Sequence, residues 1–127
     1  MQIISVLILD DEKEICFLLS SLLNQMGYHT DKAHTLCEAR KKFGKSDYDL
    51  FFLDLNLPDG LGYHLVNDIK ENNSKAKIVM ISAHDGMLNQ LKKQVQGVDM
   101  YIYKPFNLHT ISNALKELNL VFETKHN

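Results

Sequence analysis

The chain has 127 residues, of which 45% are hydrophobic and 24% are charged. This length suits one globular domain and is too short for two well-packed ones. Fourteen Lys and Arg residues oppose sixteen Asp and Glu residues, so the formal net charge is -2. Such a balance excludes a strongly basic nucleic-acid-binding protein, and no apolar run reaches the ~20 residues of a membrane span.

Cysteine usage and the start of the chain predict the cellular compartment. Cys16 and Cys37 are too few for a disulfide framework, and both fall in helix-like segments, where a small buried thiol is typical. The apolar residues 1–9 lack a basic leader and run directly into acidic residues, which is atypical of a secretory signal. We therefore expect a cytoplasmic protein with no membrane segment.

The spacing of apolar residues alternates between two patterns along the chain. Short runs rich in β-branched residues suit strands that are buried on both faces, whereas spacings of three or four suit amphipathic helices. The predicted strands are residues 3–9, 28–33, 50–53, 78–81 and 98–103, and the predicted helices begin near residues 12, 35, 61, 87 and 111. The second strand is the most polar, which is typical of a sheet edge.

Caps and turns mark the boundaries of these elements. Thr35 and Glu38 have the spacing of a capping box at the start of the second helix. Gly27 and Gly44 stand where the first two helices should stop. Residues 54–60 contain Pro, Asp and Gly and are predicted to form a loop.

Five strand–helix units predict the fold class. Regular alternation of apolar strands and helices indicates a parallel sheet with helices on both faces. Five units are too few for a closed eight-stranded barrel. We therefore expect an α/β protein with three layers, α/β/α, around an open five-stranded parallel sheet.

Polar residues follow four of the predicted strands. Asp10 and Asp11 come after the first strand, Asp54 after the third, Ser82 after the fourth and Lys104 after the fifth. Ligands of open parallel sheets bind at this edge, and the order 2-1-3-4-5 would bring these side chains together. Carboxylates suit Mg²⁺, a lysine suits a phosphoryl group, and an aspartate can act as a nucleophile. Each residue alone is typical of a loop or cap, but together they indicate magnesium-assisted phosphoryl transfer onto a side chain.

Four sequence blocks resemble the receiver domain of two-component response regulators. These blocks are ILDDE at 8–12, LDLNLPDGLG at 53–62, MISA at 80–83 and YIYKPF at 101–106. The resemblance extends from Val6 to about Phe122, and the four blocks together are far more specific than any one of them. It implies a flavodoxin-like fold with the strand order 2-1-3-4-5 and a single receiver domain over residues 1–127.

The resemblance also implies a role for each residue of the predicted site. Asp54 would be the phosphoacceptor, and Lys104 would contact the phosphoryl group. Mg²⁺ would be bound directly by Asp11 and Asp54 and by the backbone carbonyl of Asn56, with Asp10 beside them in the acidic pocket.

Further residues match positions that the family uses for switching and for rate control. The hydroxyl of Ser82 would turn toward the phosphoryl group, and Tyr101 would be the aromatic switch residue. The peptide bond before Pro105 would be cis. Asn56 and His84 occupy positions that modulate the rate of dephosphorylation.

The implied function is a phosphorylatable signalling switch. A sensor histidine kinase or a histidine phosphotransfer protein would supply the phosphoryl group from a phosphohistidine. Phosphorylation would change the surface formed by the fourth helix, fifth strand and fifth helix, where Lys92 and Lys93 could meet a downstream target protein. Apart from phosphorylating itself from a donor and removing its own phosphoryl group, the protein would not be an enzyme, and it would bind neither nucleic acid nor membrane.

Three other functions remain open at this stage. A Mg²⁺-dependent phosphatase with an aspartyl-phosphate intermediate usually has an acid two residues after the nucleophile, where this chain has Asn56. A nucleotide- or flavin-binding protein usually has a glycine-rich first turn, which is DDEKE here. A phosphate-independent interaction domain would not need the intact site. A complete chain would act without an output domain, whereas an excised one would belong to a larger regulator or hybrid kinase.

Overall fold

A computed structural model of the chain describes residues 3–83, 90 and 96–120. The strands are β1 (Ser5–Leu9), β2 (His29–Ala33), β3 (Leu50–Asp54), β4 (Asn56–Leu57), β5 (Gly60–Leu61), β6 (Lys77–Ala83) and β7 (Met100–Lys104). The helices are α1 (Lys13–Gln25), α2 (Leu36–Phe43), α3 (Val66–Asn72) and α4 (Leu108–Glu117), with a 3-10 segment at Gly62–Leu65. Most of the helix predicted near residues 87–97 lies outside the described residues, as do His84, Lys92 and Lys93.

Five parallel strands form one sheet in the order β2-β1-β3-β6-β7. This is the order 2-1-3-4-5 that the sequence predicts, so the predicted fold class is confirmed. The polar strand β2 lies at one edge of the sheet, also as predicted, and β7 lies at the other edge.

The core has two layers, one on each face of the sheet. Leu7 of β1 and Phe51 of β3 face the apolar residues of α2 and α3, whereas Ile8 and Phe52 face those of α1 and α4. Successive residues of the central strands are buried in opposite layers because side chains alternate across a strand. This arrangement explains why the central strands are continuously apolar in the sequence.

The segment after β3 differs from the predicted loop and helix. Asn56 pairs with Leu61 in a short antiparallel hairpin, β4–β5, and a 3-10 segment then leads into α3. Gly60 has a φ of 147°, a conformation that only glycine adopts readily. The hairpin therefore depends on this glycine as well as on backbone pairing.

Helix ends follow the predicted caps closely. Gly27 has a φ of 97° just after α1, and the amide of Tyr28 donates to the carbonyl of Leu23 over 3.0 Å. Thr35 caps α2 by accepting a hydrogen bond of 3.1 Å from the amide of Glu38.

One cysteine prediction is wrong. Cys16 is buried, but Cys37 is exposed. The buried face of α2 consists of Leu36, Ala39 and Phe43, and Cys37 lies off that face.

No helix within the described part of the chain is both long enough and apolar enough to cross a membrane.

The central strands should tolerate truncation poorly. Leu7 is 0% exposed, so we expect Leu7→Ala to lower the free energy of unfolding by about 2–5 kcal/mol through lost burial and a residual cavity. Urea unfolding would show this loss as a lower midpoint with an unchanged slope. Ile3, which is 63% exposed, provides the control: Ile3→Ala should change the free energy of unfolding by no more than about 0.5 kcal/mol. Equal losses in the two variants would contradict the core described here.

Candidate functional site

The predicted site residues lie at the carboxyl edge of the sheet. Asp54 is the last residue of β3, Ser82 is the last but one of β6, and Lys104 is the last of β7. Asp10 follows β1 directly, and its amide donates to the Ala33 carbonyl over 3.1 Å, which extends the pairing of β1 with β2. The strands β3, β6 and β7 therefore extend one or two residues farther than predicted and include Asp54, Ser82 and Lys104.

Three carboxylates converge at this edge. Asp10, Asp11 and Asp54 each offer an oxygen, and these oxygens lie within 4.8 Å of one another. Asp10 and Asp54 are buried, whereas Asp11 is exposed. Burial raises the pKa of Asp54 to about 7, and the negative charge of Asp10 adds to this effect, although Lys104 opposes it. Such a cluster is a candidate site for a hard divalent cation.

Lys104 provides the cation at the centre of the cluster. Its Nζ lies 2.7 Å from Oε2 of Glu12, 3.0 Å from Oδ2 of Asp10 and 3.6 Å from Oδ2 of Asp54. Burial acts to lower the pKa of Lys104, but its contacts with Glu12 and Asp10 and the charge of Asp54 raise it above the ordinary value. Lys104 is therefore charged at neutral pH and offsets part of the repulsion between the carboxylates.

The backbone around Asp10 is held by several hydrogen bonds. The Glu12 amide donates to Oδ1 of Asp10 over 2.9 Å. The Asp10 carbonyl lies 3.2 Å from Sγ of Cys16, which donates to it, and 2.9 Å from Nδ1 of His34. Oδ2 of Asp10 is buried, and Nζ of Lys104 lies 3.0 Å from it as an ion-pair partner.

Ser82, Tyr101 and Pro105 lie on or after the strands β6 and β7. Ser82 is 0% exposed, and its Oγ has no hydrogen-bond partner among the described residues. Tyr101 is half-buried against the core layer that contains α2 and α3, and burial raises its pKa. The peptide bond between Lys104 and Pro105 is cis.

The β4–β5 hairpin is packed tightly against Asp54. The amide of Asn56 lies 3.4 Å from Oδ1 of Asp54, and the Gly62 amide donates to the Leu55 carbonyl over 2.7 Å. A Cβ atom on Gly62 would lie 2.1 Å from the backbone oxygen of Asp54, so glycine is needed there. A cleft of about 390 Å³ opens beside the hairpin and is lined by Asp11, Glu12, Asp54, Asn56, Ala83 and Lys104.

Four residues contribute to this region without having been predicted from the sequence. Glu12 pairs with Lys104, and Cys16 and His34 contact the Asp10 carbonyl. Asp59 accepts hydrogen bonds from the first two amides of α2, over 2.9 and 3.2 Å, and so ties the hairpin to that helix. Only Glu12 carries a signal in the sequence, because it belongs to the same acidic run as Asp10.

Comparison with known proteins identifies the family. The sequence profile of the response regulator receiver domain matches residues 6–116. The chain belongs to this family. Receiver domains are the phosphorylatable switches of two-component signal transduction, and this receiver domain has the acidic cluster and the lysine at the sheet edge where its sequence predicts them.

Individual relatives agree with this assignment. YvcP of Bacillus subtilis, an uncharacterised transcriptional regulatory protein, is 34% identical over 113 residues, which are 89% of this receiver domain and 47% of YvcP. The sensor protein EvgS of Escherichia coli is 31% identical over 119 residues, which are 93% of this chain and 10% of EvgS. The chain therefore spans half the length of these relatives or less.

A solved structure of the family shows a similar fold. The response regulator protein TrrA from Thermotoga maritima, crystallised in complex with Mg²⁺ and BeF, has a TM-score of 0.80 and 32% sequence identity to this receiver domain. The match covers 91% of this chain and 99% of that chain.

The raised pKa of Asp54 predicts how stability depends on pH. Between the ordinary value of 3.8 and about 7, the folded protein retains a proton at Asp54 that the unfolded chain has released. The metal-free receiver domain should therefore lose stability as the pH rises through this window. Asp54→Asn removes the ionisation, so at neutral pH in EDTA its Tm should exceed that of the wild type by roughly 3 °C or more. Near pH 4, thermal scans should give the same Tm for the wild type and for Asp54→Asn.

Asp59 provides a control of opposite sign. The Leu36 amide holds the pKa of this exposed carboxyl below its usual range, so the stabilisation from Asp59 is present above pH 3.8 and is lost in stronger acid. Asp59→Asn should therefore melt no higher than the wild type at neutral pH. A similar rise in Tm for both variants would mean that general charge reduction, rather than the buried site, stabilises Asp54→Asn.

Proposed function

We propose that Asp54 accepts a phosphoryl group from a phosphohistidine of a sensor histidine kinase or a histidine phosphotransfer protein, in a reaction that requires Mg²⁺. The observation that carries this proposal is the convergence of the Asp10, Asp11 and Asp54 carboxylates within 4.8 Å, with Lys104 beside them. An oxygen of Asp54 forms the new P–O bond as the P–N bond to the donor imidazole breaks, and a carboxylate can act as such a nucleophile.

The residues at the sheet edge fit a magnesium ion. Three carboxylates lie close together, and Oδ2 of Asp10 accepts no hydrogen bond from a described residue. Asp11 and Asp54, together with the backbone carbonyl of Asn56, would hold the ion, and Asp10 would complete the acidic pocket. Bound there, Mg²⁺ would neutralise charge on the phosphoryl oxygens. The crystallisation of TrrA in complex with Mg²⁺ and BeF supports magnesium as the cation for this chain.

Lys104 and Ser82 would contact the transferred group. Lys104 lies 3.6 Å from Oδ2 of Asp54, so its ammonium group can offset charge on a phosphoryl oxygen. The Ser82 hydroxyl is buried and has no partner in the described part of the chain. A phosphoryl oxygen would give this hydroxyl the acceptor it needs.

The response to phosphorylation would involve β6 and β7. Movement of Ser82 toward the phosphoryl group would allow Tyr101, now half-buried, to pack further into the core. The surface of the helix predicted near residues 87–97, β7 and α4 would then change and meet a downstream target protein. Asn56 beside Asp54, and His84, would set the rate of autodephosphorylation.

The overall role follows from these assignments. Residues 1–127 would form a single receiver domain in the cytoplasm, with protein partners rather than nucleic acid or membrane. Its chemistry would be limited to its own phosphorylation and dephosphorylation. Family membership favours this function over the phosphatase, the nucleotide-binding protein and the phosphate-independent domain.

Phosphorylation can be tested directly by intact mass. With Mg²⁺ and a small phosphodonor such as acetyl phosphate, the wild type should gain one phosphoryl group, because Asp54 is the nucleophile. Asp54→Asn should gain none, and EDTA should abolish the reaction of the wild type. Asp59→Asn, the same substitution in the turn of the β4–β5 hairpin, should react normally. Unmodified wild type under these conditions, or equal labelling of Asp54→Asn, would contradict the proposal.

Removal of Lys104 should have opposite effects on the metal-bound and metal-free states. Because its Nζ competes with a cation for the Asp10 and Asp54 carboxylates, Lys104→Met should tighten Mg²⁺ binding by about fourfold or more. The same change should lower stability in EDTA, since two buried carboxylates lose their counter-charge. Calorimetric titration with MgCl₂ and urea unfolding would measure the two effects.

Lys70→Met provides the control for this experiment. Lys70 pairs with Asp99 at 3.2 Å, so the variant loses the same charge from a different ion pair. It should leave the Mg²⁺ affinity within about twofold of the wild type. Weaker Mg²⁺ binding by Lys104→Met would show that the lysine supports the cation site instead of competing with it.

A further inference from the structure

The backbone carbonyl of Asp10 is a shared hydrogen-bond acceptor that connects three parts of the fold. It belongs to the residue directly after β1, and it contacts Cys16 in the first part of α1 and His34 directly after β2. The Cys16 Sγ lies 3.2 Å from this oxygen, and Nδ1 of His34 lies 2.9 Å from it. The two donor atoms are 3.8 Å apart, so both side chains converge on the same acceptor.

Both donor atoms carry a proton at neutral pH. A carbonyl oxygen only accepts, so Nδ1 of His34 must carry a proton. Burial raises the pKa of the Cys16 thiol to about 11, so Cys16 keeps its S–H proton at neutral pH. A carbonyl oxygen has two lone pairs, and these two donors can occupy both.

The orientation of this carbonyl is coupled to the direction of the turn at residues 10–12, called the acidic turn below. Asp10 and Asp11 are consecutive, so a rotation of the backbone at Asp10 displaces both carboxylates. Asp10 is 1% exposed, and therefore water cannot easily replace a donor that is lost. The Glu12 amide, which donates to Oδ1 of Asp10 over 2.9 Å, would move with the same turn.

We infer that His34 and Cys16 are positioning residues for the cation site, which hold the Asp10 carbonyl and thereby fix the turn that carries Asp10 and Asp11. This inference rests on the proposed function, because it assigns the turn to Mg²⁺ binding. Both side chains bond the backbone carbonyl of Asp10, so each acts on the site through the backbone. His34 is the more informative of the two, because it lies directly after β2 and is far from the acidic residues in the sequence.

The decisive experiment compares histidine replacements by calorimetric titration with MgCl₂ alone. His34→Ala should weaken Mg²⁺ binding about fivefold, because the carbonyl loses its donor from β2. His34→Asn should retain an affinity within about twofold of the wild type, because its Nδ2 can donate from nearly the position of Nδ1. His34→Gln, whose amide lies one carbon farther out, should behave like His34→Ala. The comparison of Asn with Gln holds even if the alanine variant folds poorly.

His29→Ala is the matched control. His29 lies at the start of β2, is exposed, and has Asp31 at 3.9 Å as an ion-pair partner. This variant should leave Mg²⁺ affinity unchanged. Cys16→Ala should also weaken binding, and the double variant Cys16→Ala/His34→Ala should show non-additive losses because the two donors share one acceptor.

A second measurement needs no metal. In NMR spectra recorded in EDTA, His34→Ala should shift the amide resonance of Glu12, and His29→Ala should not. Unchanged affinity in His34→Ala, or equal affinities for the Asn and Gln variants, would overturn the inference while leaving the proposed function intact. A wild type that binds no Mg²⁺ would overturn the cation site, and the inference with it. Lower stability in urea without a change in affinity would assign His34 a purely structural role.

Discussion

Electrostatic repulsion among the carboxylates of Asp10, Asp11 and Asp54 is the constraint on which the site depends. Their oxygens lie within 4.8 Å of one another, and two of the three side chains are buried. Such an arrangement is unfavourable in a medium of low dielectric constant. Lys104 relieves part of it. Burial, together with the negative charge of Asp10, still raises the pKa of Asp54 to about 7. A divalent cation would relieve what remains, so unfavourable charge in the free domain favours ligand binding.

The fold tolerates the repulsion between these carboxylates because burial of apolar residues elsewhere in the sheet offsets it. The strands β1, β3, β6 and β7 are adjacent, and their central residues are buried in both core layers. Burial of apolar surface along these strands stabilises the fold, while the charged groups are confined to the carboxyl edge. A different strand order would separate Asp54 from Asp10 or Lys104. The order of the sheet therefore determines both the core and the site.

The sequence predicts those parts of the fold and the site that depend on the polarity and charge of side chains. Apolar runs ending at Asp54, Ser82 and Lys104 predict both the strands and the shared edge. The β4–β5 hairpin was not predicted, because it depends on backbone pairing and on the close approach of Gly62 to the Asp54 carbonyl. The contacts of His34 were missed for a similar reason, since a backbone carbonyl leaves no trace in a sequence. The exposure of Cys37 could have been predicted from the three- and four-residue spacing of the apolar positions in α2.

The groups on the two sides of the site differ in how many hydrogen bonds hold them. This difference would determine where the proposed phosphorylation of Asp54 causes change. Around Asp10, both backbone groups and Oδ1 have hydrogen-bond partners on β2, on α1 or in the turn itself. On the other side, the Ser82 hydroxyl is buried without a partner among the described residues, and Tyr101 is only half-buried. A phosphoryl oxygen at Asp54 would gain a hydrogen bond from the Ser82 hydroxyl without breaking an existing one. The groups around Asp10 would first have to give up the bonds they already make. The asymmetry favours a rigid cation site next to β1 and β2 and a responsive surface next to β6 and β7.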